Sequence, residues 1–148
     1  MTQLRNYHFV LWGEGFDEIA AAIFVTKLRE AGLLVKVVAL HAQQLAGANG
    51  LALVPDFTLG QALKLVGQTA AVIMPCTGPE LLPFTVDPRL SDFLAQAQLN
   101  NACLVIKESP QLETPALPLP PIMFYAPAAE ALFSFIENLI EILQTRNT

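Results

Sequence analysis

The stretch Ala102-Cys103-Leu104-Val105-Ile106-Lys107-Glu108-Ser109-Pro110 constrains the fold more than any other. Five apolar residues run without interruption and stop at a lysine, a glutamate, a serine and a proline. A short apolar run closed by a breaker suits a strand buried on both faces, as in a parallel sheet covered by helices. The polar group that follows then falls at the carboxyl edge of the sheet, where open α/β sheets bind their ligands. An active site in this chain is therefore expected to include Lys107 to Ser109.

The rest of the chain alternates in the same way. Tyr7 to Trp12 reads as a strand, Gly13-Glu14-Gly15 as a tight turn and Phe16 to Ala31 as a helix. Asp17 and Glu18 lie in its first turn and Lys27 and Arg29 near its end, as the helix dipole favours, and Gly32 stops it. Leu34 to Leu40 is a second strand, followed by a polar, small-residue connection from His41 to Asn49. Leu51 to Val54 is expected as a short strand ending in Pro55-Asp56, with a short helix from Thr58 to Val66. Ala70 to Met74 is a further buried strand, stopped by Pro75-Cys76-Thr77-Gly78-Pro79. Asp87-Pro88 opens a helix to about Gln98, proline being suited to a first helical turn. Residues 110–127 hold six prolines in eighteen residues, which excludes a regular helix or a central strand and leaves Ile122 to Tyr125 as a brief edge strand. Ala128 to about Leu143 reads as a closing helix, with Leu132, Ile136, Leu139 and Leu143 at helical spacing. Strands alternating with helices predict a parallel sheet with helices on both faces.

Composition narrows the function. The 148 residues suit one domain over 1–148, with an irregular proline-rich segment at 110–127. The chain is 53% apolar and only 14% charged, with a mean hydropathy of +0.47, and surplus apolar surface ordinarily meets a partner. Ile19 to Val25 is apolar all round the helix, whereas a sheet face covers only a stripe. A homodimer through the first helix (Ile19, Ile23, Phe24) is therefore expected. The longest apolar runs are about seven residues against the roughly 20 of a membrane span, and the start lacks a signal-peptide core, so a cytoplasmic protein is expected. A net charge of −5 with scattered lysines and arginines excludes a nucleic-acid surface. Cys76 and Cys103 make no disulfide framework. His8 and His41 have no neighbouring ligand residue in sequence, so no metal is expected. No cofactor is expected either: Glu18 stands where a Gly-x-Gly-x-x-Gly loop needs its third glycine.

Several motifs resemble the ThiJ/PfpI family of the class I glutamine-amidotransferase-like superfamily. Glu14-Gly15-Phe16-Asp17-Glu18-Ile19 followed by Leu28-Arg29-Glu30-Ala31-Gly32 is similar to its opening strand, turn and helix. Val54-Pro55-Asp56-Phe57-Thr58-Leu59 resembles its Pro-Asp turn and helix start, and Val72-Ile73-Met74-Pro75 its strand ending in Pro-Gly-Gly. Phe133-Ser134-Phe135 resembles its closing helix. The resemblance implies a flavodoxin-like three-layer α/β sandwich with a mostly parallel central sheet. It also implies departures. The family's nucleophilic cysteine, on a strained elbow after the strand, aligns with Lys107. Its supporting acid aligns with Ala20, and its Gly-Gly with Cys76-Thr77. The segment after the elbow is cut down to the prolines, and no histidine follows His41.

The candidate residues are therefore Cys76, Lys107, Glu14 and Glu108. Cys76 ends a buried strand beside the expected pocket, where a thiolate would react, but a small buried residue is the plainer reading. Lys107 would serve Schiff-base chemistry if deprotonated; otherwise it reaches water or a carboxylate, with Glu14 the favoured partner ahead of Asp17 and Glu108. Glu108 and Ser109 are most economically turn residues, because serine needs a histidine to activate it. Two functions stay open: a non-catalytic scaffold that binds a protein or small molecule, or a hydrolase or reactive-carbonyl enzyme with a relocated site on Cys76 or Lys107. A flavodoxin-like cofactor module or a receiver module lacks its phosphate loop or acidic cluster here.

Overall fold

The computed structural model describes residues 6–41, 46–109 and 122–146. Most of the prolines expected as an irregular segment, Pro110 to Pro121, lie outside the described residues. Six strands, β1 (Tyr7–Trp12), β2 (Leu34–Ala39), β3 (Phe57–Thr58), β4 (Thr69–Met74), β5 (Cys103–Lys107) and β6 (Ile122–Tyr125), form one sheet in the order β3-β2-β1-β4-β5-β6. Every pairing is parallel, so the expectation of a mostly parallel sheet is exceeded. Helices α1 (Glu18–Glu30), α2 (Leu59–Lys64), α3 (Gly78–Leu81), α4 (Pro88–Leu99) and α5 (Ala129–Arg146) join the strands, with two short 3₁₀ stretches, Val66–Gln68 and Leu82–Val86.

Alternation along the strands divides the core. Val10, Ala71, Ile73 and Val105 face α1 and α5, meeting Ala20, Phe24, Leu28, Leu132, Ile136 and Leu139. Phe9, Leu11, Val72, Leu104 and Ile106 face α2 and α4, meeting Leu59, Ala62, Phe93 and Ala97. β4 and all of β5 but Lys107 are buried on both faces, as their uninterrupted apolar runs require.

Three expectations are corrected. Leu51 to Val54 is not a strand; the short edge strand is β3, which begins three residues after Val54. Pro55 offers no N–H to a ladder, and the Asp56 side chain takes the Val37 N–H at 2.8 Å in place of a strand neighbour. Between Met74 and the helix at Pro88, where the sequence marked only the stop at 75–79, α3 and the 3₁₀ stretch Leu82–Val86 fill the chain. The closing helix runs on to Arg146, whose guanidinium binds the Asn101 carbonyl and, at 2.8 Å, the Cys103 sulfur. Phe24, expected at a dimer surface, is 0% exposed and packs edge-on against Tyr125 and Phe135. The apolar run of α1 thus uses Phe24 inward and leaves Ile19 outward, 65% exposed.

Candidate functional site

The strand order reverses direction between β1 and β4, the point of an open α/β sheet from which the loops leaving the carboxyl ends run apart. Three connections meet there. The Asp17 N–H donates to the Pro75 carbonyl at 2.7 Å, joining the turn after β1 to the one after β4. The Lys107 N–H donates to the Cys76 carbonyl at 2.9 Å, joining the latter to the end of β5. The Glu108 N–H donates to Tyr125 O at 2.8 Å, adding β6. Backbone bonds thus hold residues 13–17, 75–77, 107–108 and 125 in one place.

Asp17 is the centre of the side-chain arrangement. It is the N-cap of α1, and its Oδ1 accepts the Ala20 N–H at 3.1 Å. Its Oδ2 lies 3.3 Å from Lys107 Nζ and accepts the Tyr125 hydroxyl at 3.4 Å. Burial, then the Asp17 carboxylate, push the Tyr125 phenol far above its ordinary value, so it stays a donor. Both charged side chains are partly covered, 26% exposed for Lys107 and 21% for Asp17. Ala20, where the resemblance places the supporting acid, is buried and carries none; Asp17 supplies a carboxylate from one turn earlier.

The favoured partner of Lys107, Glu14, is not the one used. Glu14 stands exposed on the turn, where solvation competes with pairing, whereas Asp17 is fixed by its cap. Glu108 is an exposed residue after β5, as expected of a turn. Cys76 is 0% exposed. Burial pushes its thiol well up, the Glu80 carboxylate pushes it further, and Lys107 opposes them only in part. A buried, protonated thiol is a poor nucleophile at neutral pH, in keeping with the plainer reading of Cys76 as a small buried residue.

Lys107 also lacks the elbow. It pairs with Tyr125 as the last residue of β5, and the only non-glycine residue with positive φ among those described is Asn101. The backbone therefore leaves the strand extended instead of turning the side chain outward under strain. Neither histidine helps. His8 is buried at the amino end of β1, its Nδ1 3.0 Å from the Leu34 carbonyl. His41 follows β2 and lies against Phe84. No group of three or more metal-ligating side chains occurs among the described residues. A surface cavity of about 230 Å³ between Val66, Gly67, Gln96 and Leu99 lies at the other end of the sheet, where Asn100 binds the carbonyl of Thr69.

Tyr125 and Glu80 were missed as site residues. Glu80 had a signal: Thr77-x-x-Glu80 is a capping box, and both of its bonds form. Tyr125 was legible only as part of an edge strand; nothing local says that its hydroxyl reaches the cap of α1.

No family model and no curated protein matches the sequence. The structure, in contrast, matches DJ-1/ThiJ/PfpI superfamily proteins over most of the chain. A DJ-1 superfamily protein from Salmonella typhimurium superposes with a TM-score of 0.74 at 16% identity, over 95% of this chain and 91% of its own. Drosophila melanogaster DJ-1beta gives 0.72 at 13%, over 97% and 91%, and oxidized Toxoplasma gondii DJ-1 gives 0.70 at 13%, over 93% and 90%. The fold is theirs: a flavodoxin-like α/β sandwich with an all-parallel sheet.

Proposed function

We propose that this protein is a non-catalytic scaffold of the DJ-1/ThiJ/PfpI fold, acting as an interaction or small-ligand-binding module. The observation that carries the reading is the ion pair at the end of β5. Lys107, at the position the resemblance gives to the nucleophile, continues its strand and faces Asp17 at 3.3 Å. An ammonium held by a carboxylate is neither a nucleophile nor a base, and the nearby Cys76 thiol is buried and protonated. The test is turnover of methylglyoxal and of a peptide panel by the wild type, Lys107→Ala and Cys76→Ser. No turnover above buffer is expected from any of them. Robust wild-type turnover abolished by Cys76→Ser or Lys107→Ala would overturn the reading in favour of a relocated site.

The partner this reading suggests is a second copy, meeting through Ile19 and the partly exposed Ile23 on the outer side of α1.

A further inference from the structure

We propose that residues 46–51 form a strap closed over Trp12 at the carboxyl end of β1, and that the Glu18 carboxylate is its latch. The inference concerns the same edge of the sheet and holds whether or not that edge is catalytic.

The strap is closed on itself. Gly47 N–H donates to Leu51 O at 2.8 Å and Gly50 N–H to Gly47 O at 3.0 Å, Ala46 bridges to Ala52, and Gly50 takes the positive φ that the turn requires. Its ties to the start of α1 are separate and few. Gly15 N–H donates to Ala46 O and Ala48 N–H to Phe16 O, each at 3.0 Å. The Asn49 and Leu51 N–H groups both donate to Glu18, the second at 2.6 Å.

Glu18 is 7% exposed, and no cation pairs with it among the described residues. What compensates its buried charge is this pair of amides together with the α1 N-terminus. Gly47 seats the strap: a Cβ there would come within 2.8 Å of Trp12 Cη2 and 2.7 Å of Glu18 Cδ. The other strap residues are exposed, so little apolar burial opposes opening, the usual mark of a segment that opens locally. The internal bonds would survive as the strap lifts. The Gly15 and Phe16 backbones would lose their ties, and these immediately precede Asp17. Opening would therefore uncover Trp12 and loosen the turn that presents Asp17 to Lys107.

Amide hydrogen exchange and Trp12 fluorescence test this, Trp12 being the only tryptophan. In the wild type, the Asn49 and Leu51 amides should exchange well ahead of the central Val10 and Ile73 amides and be insensitive to low denaturant. Glu18→Gln, which keeps one acceptor oxygen, should speed those two amides by about 10- to 100-fold, the weight of one charge-assisted hydrogen bond, and leave Val10 and Ile73 unchanged. Acrylamide quenching of Trp12 should rise in Glu18→Gln and in Gly47→Ala. Wild-type exchange of Asn49 and Leu51 at the rate of Val10 and Ile73 would overturn the proposal, since the strap would then open only with the whole fold. A folded Glu18→Gln with unchanged amides and quenching would also overturn it. Should Glu18→Gln not fold, the wild-type exchange pattern and Gly47→Ala decide.

Discussion

Asp17 serves three partners at once, the Ala20 N–H, the Lys107 ammonium and the Tyr125 hydroxyl. Asp17→Ala should therefore cost about 1–3 kcal/mol, roughly 1 of it from the lost cap, with the remainder from two donors left without their acceptor. Asp17→Asn keeps the cap and should cost less. A double-mutant cycle of Asp17→Asn with Lys107→Met, read by urea unfolding, isolates the ion pair. Because both groups are partly solvated, a coupling of only about 1 kcal/mol is expected, and none at all would show that the pair is ornamental to stability. His8 makes a second prediction at this scale. A carbonyl accepts from its Nδ1, so the neutral ring carries its proton there and leaves Nε2 buried without a partner. Burial lowers its pKa below the ordinary 6.5, against two backbone hydrogen bonds that raise it. The unfolded chain therefore binds more protons below 6.5, so the stability His8 contributes is complete above that value and is lost as the pH falls through it. The denaturant midpoint should fall as the pH drops below about 6.5, and His8→Leu should remove that part of the fall. An identical pH profile in His8→Leu would show that other groups carry it.

Among the elements, α5 rests on the sheet through Leu132, Ile136, Leu139 and Leu143, all buried, and this spacing was plain from the sequence. Leu139→Ala opens a cavity at a fully covered position and should cost about 2–5 kcal/mol. The outward Phe133→Ser should cost far less. Chemical unfolding of the two variants checks the contrast, and equal losses would mean that α5 is held by its outer side. The elements misread were the short ones. A two-residue strand such as β3 has no period to detect, and its place is set by pairing Val38 with Phe57 across the sheet. The Leu51 to Val54 stretch looked strand-like because it is apolar, but Leu51 donates its N–H to Glu18, a contact across 33 positions of sequence.

For the whole molecule, the outer side of α1 gives the expectation of association. About 300 Å² of apolar surface withdrawn from water at roughly 25 cal/mol per Å² contributes several kcal/mol, enough to favour a dimer once other contacts join it. Light scattering at micromolar concentration should give twice the 16.1 kDa chain mass, and Ile19→Lys should return the monomer. A wild type that scatters as a monomer would end the dimer proposal and leave Ile19 as ordinary exposed apolar surface.

Local pattern alone determined the class of fold. Buried parallel strands must be apolar on both faces, so the runs at 70–74 and 102–106 announced the sheet, Asp87-Pro88 announced the start of α4, and 3.6-residue spacing announced α5. It also pointed to the edge proposed as the site, since the residue after such a run must emerge at the carboxyl end. Which groups meet there was decided by the tertiary structure. Lys107 had three carboxylates in reach on paper, and the one it faces is the one immobilised as a helix cap and hydrogen-bonded to Tyr125, 108 residues away. Side-chain partners of that kind depend on strand order and on which loops converge, and neither leaves a period in the chain. The protonation of Cys76 follows the same rule: its identity is local, but the burial that keeps it a thiol is a property of the packed layers around it.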